Sequence, residues 1–183
     1  MALPGSISIT AEVLIQVLYD IFSSLATHGF SQFVVVNGHR IVNIPWMQIS
    51  AEKAKRQLGI KVALFDPAYM SKEIAGELGF GSIGHAEEIE TSHMLYIMPH
   101  LVHMEKAKDF SPQHGILYDV DPRSPKDTLC YVPSTAKEIT ETAKDSGGTG
   151  GRPTLASAEK GKILHQHIVA RLIEVVRQFQ KNR

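Results

Sequence analysis

An α/β fold with a parallel sheet is predicted by three observations on this chain. Amphipathic helical stretches alternate with short apolar runs. The β-branched run Phe33-Val34-Val35-Val36 stops abruptly in Asn37-Gly38-His39, as a buried parallel strand does. A second run, Lys61 to Phe65, is closed by Asp66-Pro67. With 183 residues the chain fits one domain, 1–183, with a sizeable core.

The elements follow in order. Thr10 is the expected N-cap of a helix over about residues 11–28, with Val13, Leu14, Val17, Leu18, Phe22 and Leu25 on its apolar face. Gly29 stops it, and strand 33–36 delivers His39 at its carboxyl end. A helix from Ile44 to Leu58 ends at Gly59 and strand Lys61 to Phe65 follows. Tyr69 to Leu78 reads as a short helix ending at Gly79. The next helix runs from about His85 to Met98, where Pro99 terminates it. Residues 109–153 are loop-rich, with Pro112, Pro122, Pro125, Pro133 and the run Gly147 to Gly151. Long loops of this kind cover active sites or make surface excursions, and Tyr118 and Tyr131 are candidate pocket walls. The final helix, about Ser157 to Phe179, turns Ile163, Leu164, Ile168, Leu172, Val175 and Val176 to the core.

Composition narrows the function. Nineteen basic and nineteen acidic side chains cancel, and no basic block points to nucleic acid or a membrane surface. The single cysteine, Cys130, forms no internal disulfide and fits a reducing cytoplasm; between Leu129 and Tyr131 it reads as a small buried hydrophobe. Residues 1–9 lack the pattern of a secretory signal, and no stretch is long and apolar enough to cross a bilayer.

Two segments carry chemistry. Gly84-His85-Ala86-Glu87-Glu88-Ile89-Glu90-Thr91-Ser92 puts a histidine and three acids at the start of an apolar helical run. Glu90 shares a helical stripe with Met94, Ile97 and Leu101 and is expected to point inward, where a carboxylate requires a cation, a metal or donors. Glu87 and Glu88 suit the helix macrodipole, which is also the simpler account of all three acids. His39 stands where open α/β sheets bind ligands, and its imidazole can hold a metal or move a proton; an exposed histidine after an Asn-Gly turn is the alternative. His93, His100, His103, His114, His165 and His167 read as surface or packing residues, although His93 lies one turn beyond Glu90.

Together these segments resemble the creatininase (creatinine amidohydrolase) family, which carries Asn-Gly-His after a strand and Gly-His-Ala-Gly-Glu-x-Glu-Thr-Ser further on. Pro4-Gly5-Ser6-Ile7-Ser8-Ile9 is similar to the family's Pro-Gly-Thr-Ile-Ser-Leu, and Pro153 to Gly161 to its final-helix entry. The resemblance implies a three-layer α/β/α sandwich of which the first βαβ part is missing, so that this chain is the C-terminal two-thirds of the family domain. It implies a metal-dependent hydrolase with a two-metal site of Zn or Mn, acting on small cyclic or amide substrates, and usually oligomeric.

The resemblance makes His39 and Glu90 metal ligands and His85 the proton shuttle, and Glu88, one turn on from His85, is expected to orient its ring. Arg40, Asn43 and Trp46 are read as facing the substrate, although a tryptophan after Ile44-Pro45 is as often core. The family's Glu-x-His with a following Asp, which supplies three ligands, lies upstream of the Pro-Gly segment and has no counterpart here. Creatininase has Tyr-Glu-Asn after its Asn-Gly-His, whereas this chain has Arg40-Ile41-Val42-Asn43, so a metal-binding glutamate is matched by Ile41. That points away from creatinine itself. The planar fork of Arg40 suits an oxygen-rich ring such as an inosose, opened hydrolytically at its ketone. A non-catalytic subunit or truncated pseudoenzyme is the third reading. In a split enzyme, a second chain would bring the missing motif, or this chain would homo-oligomerise, and it would expose an apolar edge or face.

Overall fold

The computed structural model describes residues 5, 7–39, 43–111 and 134–181. The expectations for Arg40, Ile41, His114, Tyr118, Cys130 and Tyr131 lie outside the described residues. Two compact units divide the chain, one of Ser8–Met70 with Val169–Arg183 and the other of Met1–Ile7 with Ser71–Ile168.

The first unit holds α1 (Ala11–Thr27), β1 (Gln32–Val36), α2 (Ile44–Leu58), β2 (Lys61–Phe65) and α3 (Pro67–Met70). The strands pair in parallel from Gln32 with Lys61 to Val36 with Phe65. Gly59 ends α2 in the left-handed conformation, at φ 66°, which a Cβ would disfavour. Phe22, Ala54 and Ile60 form a buried cluster with Leu18, Tyr19, Phe33 and Val35 around it. Phe22 meets Phe33 edge-on at 5.2 Å between ring centroids. Only part of the expected α1 face is buried. Leu18 and Phe22 join the core, whereas Val13, Val17 and Leu25, with Ile21, are exposed. The helix carries apolar residues on more than the one face that this unit can cover.

The sheet is smaller than expected: among the described residues it is this parallel pair, and most other ordered residues are helical. The predicted helix Tyr69–Leu78 is two pieces: the Asp66 carboxylate caps the N–H groups of Ala68 and Tyr69 and starts α3 early, and Ser71, at φ −122° and ψ 9°, leaves the helical conformation before the second piece.

The second unit holds α4 (Lys72–Glu77), α5 (Glu88–Ile97), α6 (Ala136–Ser146) and the first part of α7 (Ala158–Lys181). Ala75, Phe80 and Leu164 form its buried cluster, lined by Ile74, Leu78, Ile89 and Ile168. The crossing of α5 and α7 depends on Gly161. A Cβ there would fall 1.9 Å from the Ser92 carbonyl oxygen. Beside this contact the fully buried Ser92 hydroxyl accepts the Ser157 N–H at 3.1 Å, and the Ser157 hydroxyl accepts the Lys160 N–H at 3.2 Å.

Helix α6 corrects the expectation of loop throughout 109–153. Thr135 and Glu138 form a reciprocal capping box at its start, and Gly147 closes it in the left-handed conformation. Among the described residues no helix is long and apolar enough to cross a membrane.

Candidate active site

In the strand-bearing unit, the end of β1 is organised by Asn37, which is almost fully buried. Its N–H donates to the Phe65 carbonyl at 2.8 Å, extending the β1 and β2 pairing by one residue. Its side-chain N–H donates to Asp66 Oδ2 at 2.8 Å. Its side-chain oxygen accepts the His39 N–H at 3.1 Å and the Asn43 amide at 3.2 Å. Asn43 in turn accepts the Trp46 indole N–H at 3.2 Å. One buried amide therefore fixes the backbone that presents the exposed His39 and links two of the expected substrate-side residues, Asn43 and Trp46. The sequence drew attention to His39 and passed over Asn37 and Asp66, although an Asn at a strand's end and an Asp before Pro are turn formers whose side chains seek backbone partners.

In the other unit, His85 sits on a segment locked from both directions. Its N–H donates to the Gly150 carbonyl at 3.1 Å and its carbonyl accepts the Gly150 N–H at 2.6 Å. The approach admits only glycine at position 84, where a Cβ would fall 1.5 Å from the Gly150 oxygen. The next residue, Ala86, is left-handed at φ 49°, a conformation that costs an L residue roughly 1 kcal/mol. Its N–H donates to Glu90 Oε2 at 2.7 Å, which holds the turn into α5. Glu87 is the N-cap, accepting the N–H groups of Ile89 at 2.6 Å and Glu90 at 3.3 Å. The imidazole of His85 is exposed.

Glu90 does not point inward as expected, whereas Glu87 and Glu88 stand at the helix start as their suitability for the macrodipole implied. Glu90 is exposed, as are Met94, Ile97 and Leu101 of its stripe, while Glu87 and Glu88 are each only 2 % exposed. The close approach of α5 to Gly161 explains this arrangement, since the inner face has room for Ser92 and for a glutamate that finds hydrogen-bond partners there. Glu88 Oε1 pairs with Lys160 Nζ at 2.7 Å and Oε2 accepts the Gly81 N–H at 3.1 Å. Its carboxylate thus closes the segment that carries His85 rather than meeting the imidazole. α5 also starts at Glu88, three residues later than expected, because the Glu87 cap and the left-handed Ala86 precede it.

His39 and Glu90 belong to different units, and among the described residues no group of three or more His, Cys, Asp or Glu is placed to hold a metal ion. Comparison with known proteins supplies the wider frame. The family model for creatininase, creatinine amidohydrolase, matches residues 1–176.

The chain belongs to the creatininase family.

It is 29% identical to a creatinine amidohydrolase of Pseudomonas putida over 96% of this chain and 66% of that protein. It is 24% identical to a 3-dehydro-scyllo-inosose hydrolase of Thermotoga maritima over 99% of this chain and 61% of that protein. It therefore spans under two-thirds of the length of either relative. A crystal structure of creatinine amidohydrolase superposes with a TM-score of 0.73 at 27% identity, covering 97% of this chain and 67% of that one. Other solved creatininases are described as a manganese form and as a Zn-Zn type mutant. The fold is thus creatininase-like, and the described part of it is mostly helical with a small parallel sheet.

Proposed function

We propose that this chain is part of a metal-dependent hydrolase that opens a small cyclic or amide substrate with metal-activated water, in a reducing cytoplasm. The observation that carries the reading is the locked placement of His85: a glycine contact, a left-handed alanine and a capped helix start all constrain one exposed imidazole. Strained, over-determined backbone of this kind clusters at functional sites.

An exposed imidazole and an exposed carboxylate, His39 and Glu90, are donors suited to a borderline divalent cation such as Zn or Mn. Glu90 gives one oxygen to the Ala86 N–H and keeps acceptor capacity for a second partner. We assign both as ligands. Residues outside this sequence, on a preceding segment or a second chain, complete the set in this reading, as the length of the relatives supports. Bound there, the metals would lower the pKa of water and polarise the substrate carbonyl.

His85 moves a proton to or from the reacting centre. Glu88 acts through its bonds to Gly81 and Lys160, which hold the His85 segment in place. Arg40, Asn43 and Trp46 face the substrate. Replacing His85 by Ala should lower turnover by about 10²- to 10⁴-fold while metal content stays constant. Unchanged turnover would remove His85 from the reaction.

A second reading, ring opening of an inosose-type cyclic ketone, is favoured by the inosose hydrolase among the relatives and by Arg40-Ile41 where creatininase has Tyr-Glu. Parallel assays on creatinine, other cyclic amides and inososes decide between them. A strong loss of activity in Arg40→Ala on the preferred substrate would place Arg40 in its pocket.

A further inference from the structure

We infer that His93 and His165 form a second, separate binding site for a divalent transition-metal ion of nitrogen preference, held between α5 and α7. The sequence reads both as surface or packing histidines. The structure brings them together from positions 72 residues apart, with His93 Nε2 2.8 Å from His165 Nδ1. Two imidazole nitrogens bound to one tetrahedral zinc, each at about 2.0–2.1 Å, lie about 3.3 Å apart, and cis nitrogens on a square-planar ion lie about 2.9 Å apart. The nitrogen separation therefore needs to change by only a few tenths of an ångström, while each ring turns so that its lone pair aims at an ion beside the N–N line rather than at the other ring.

The frame around the pair is fixed. One residue before His93, Ser92 is fully buried and hydrogen-bonded to Ser157; one residue before His165, Leu164 is a buried core residue. Gly161, one turn before His165, lets the two helices approach closely. The Tyr96 ring lies 5.5 Å from that of His165 and shields one side of the pair. Both imidazoles are half-buried and keep a path to solvent.

The protonation chemistry suits a ligand pair. Burial, and then the neighbouring His165, hold the pKa of His93 below the ordinary histidine value, so at neutral pH it is a lone-pair donor rather than a cation. In the metal-free pair one ring donates its N–H to the other. Metal binding moves that proton to the same ring's outer nitrogen through solvent, leaving both inner nitrogens as donors and releasing no net proton. Water fills the remaining positions. This site uses neither His39 nor Glu90, so it stands or falls apart from the proposed hydrolase centre.

The test is a Zn²⁺ titration of the whole chain followed through the imidazole ¹⁵N resonances. His93 Nε2 and His165 Nδ1 should move together and saturate at one equivalent. His93→Gln and His165→Gln should each weaken that event by at least about tenfold in calorimetry, as loss of a ligand requires. The wild-type resonances decide the matter even where a variant fails to fold. If those two nitrogens stay still while other histidines respond, or if none responds, the site does not exist.

Discussion

At the scale of single residues, two contacts hold the proposed catalytic segment and a third holds the His39 backbone in the other unit, and each predicts a measurable loss. Gly84 has no room for a methyl group beside Gly150, so Gly84→Ala should cost at least about 2 kcal/mol in urea unfolding, as forced overpacking does. The buried Glu88 is more instructive. Lys160→Met would leave its carboxylate with the Gly81 N–H and no cation, and should destabilise by about 2–3 kcal/mol, somewhat under the usual figure for a broken buried pair because Lys160 is partly exposed. Glu88→Met with Lys160→Met removes both charges and should recover much of that loss; a double variant whose loss equals the sum of the two single losses would show that the pair is not coupled. In the other unit Asn37→Ala removes the shared acceptor of His39 and Asn43 and the donor to Asp66, for an expected cost of about 2–3 kcal/mol. The sequence identified His85, Glu88, Glu90 and His39 as the residues of interest, but the inward direction of Glu90 was misread. Helical periodicity reports which residues share a face; which face is buried depends on the partner, and here Gly161 of α7 selects the polar one.

At the scale of elements, α2, β2 and most of α1, β1 and α7 were legible within a few residues, because apolar periodicity and glycine stops agree there. Helix α6 was missed. Its capping signature, Thr135-x-x-Glu138, stands in the sequence, but the nearby prolines and the glycine run outweighed it. The cap has a pH consequence. Bonds from the Thr135 backbone, then from its hydroxyl, hold the pKa of the Glu138 carboxyl below its ordinary value. The lowered pKa means that this cap is fully present above the unfolded carboxyl value and is lost as pH falls through the folded one. Thr135→Ala should cost about 1 kcal/mol near neutrality, read from amide exchange in α6, and less at acidic pH. His93 links α5 and α7 with the same sign. Its lowered pKa gives a contribution that is complete above the ordinary value of 6.5 and fades as pH falls through the folded value. With a chelator present, the wild-type chain should lose more stability between pH 7.5 and 5 than His93→Gln does, as urea midpoints would show.

At the scale of the whole molecule, family membership was legible because four motifs stand in the family's order along the chain, and the match to residues 1–176 bears this out. The extent of the sheet was not legible, because strand pairing depends on residues far apart in sequence and two runs ending in turn residues do not say what pairs beyond them. The apolar residues Val13, Val17, Ile21 and Leu25 of α1 are exposed. The most direct test of the central claim is native mass spectrometry of this protein gently purified from its own cell, which reports metal content and companion polypeptides together. Divalent metal at two ions per site, retained with a companion chain or with additional sequence that carries a Glu-x-His and a following Asp, is the predicted result. A metal-free assembly of this chain alone, inactive on both cyclic amides and inososes, would contradict it.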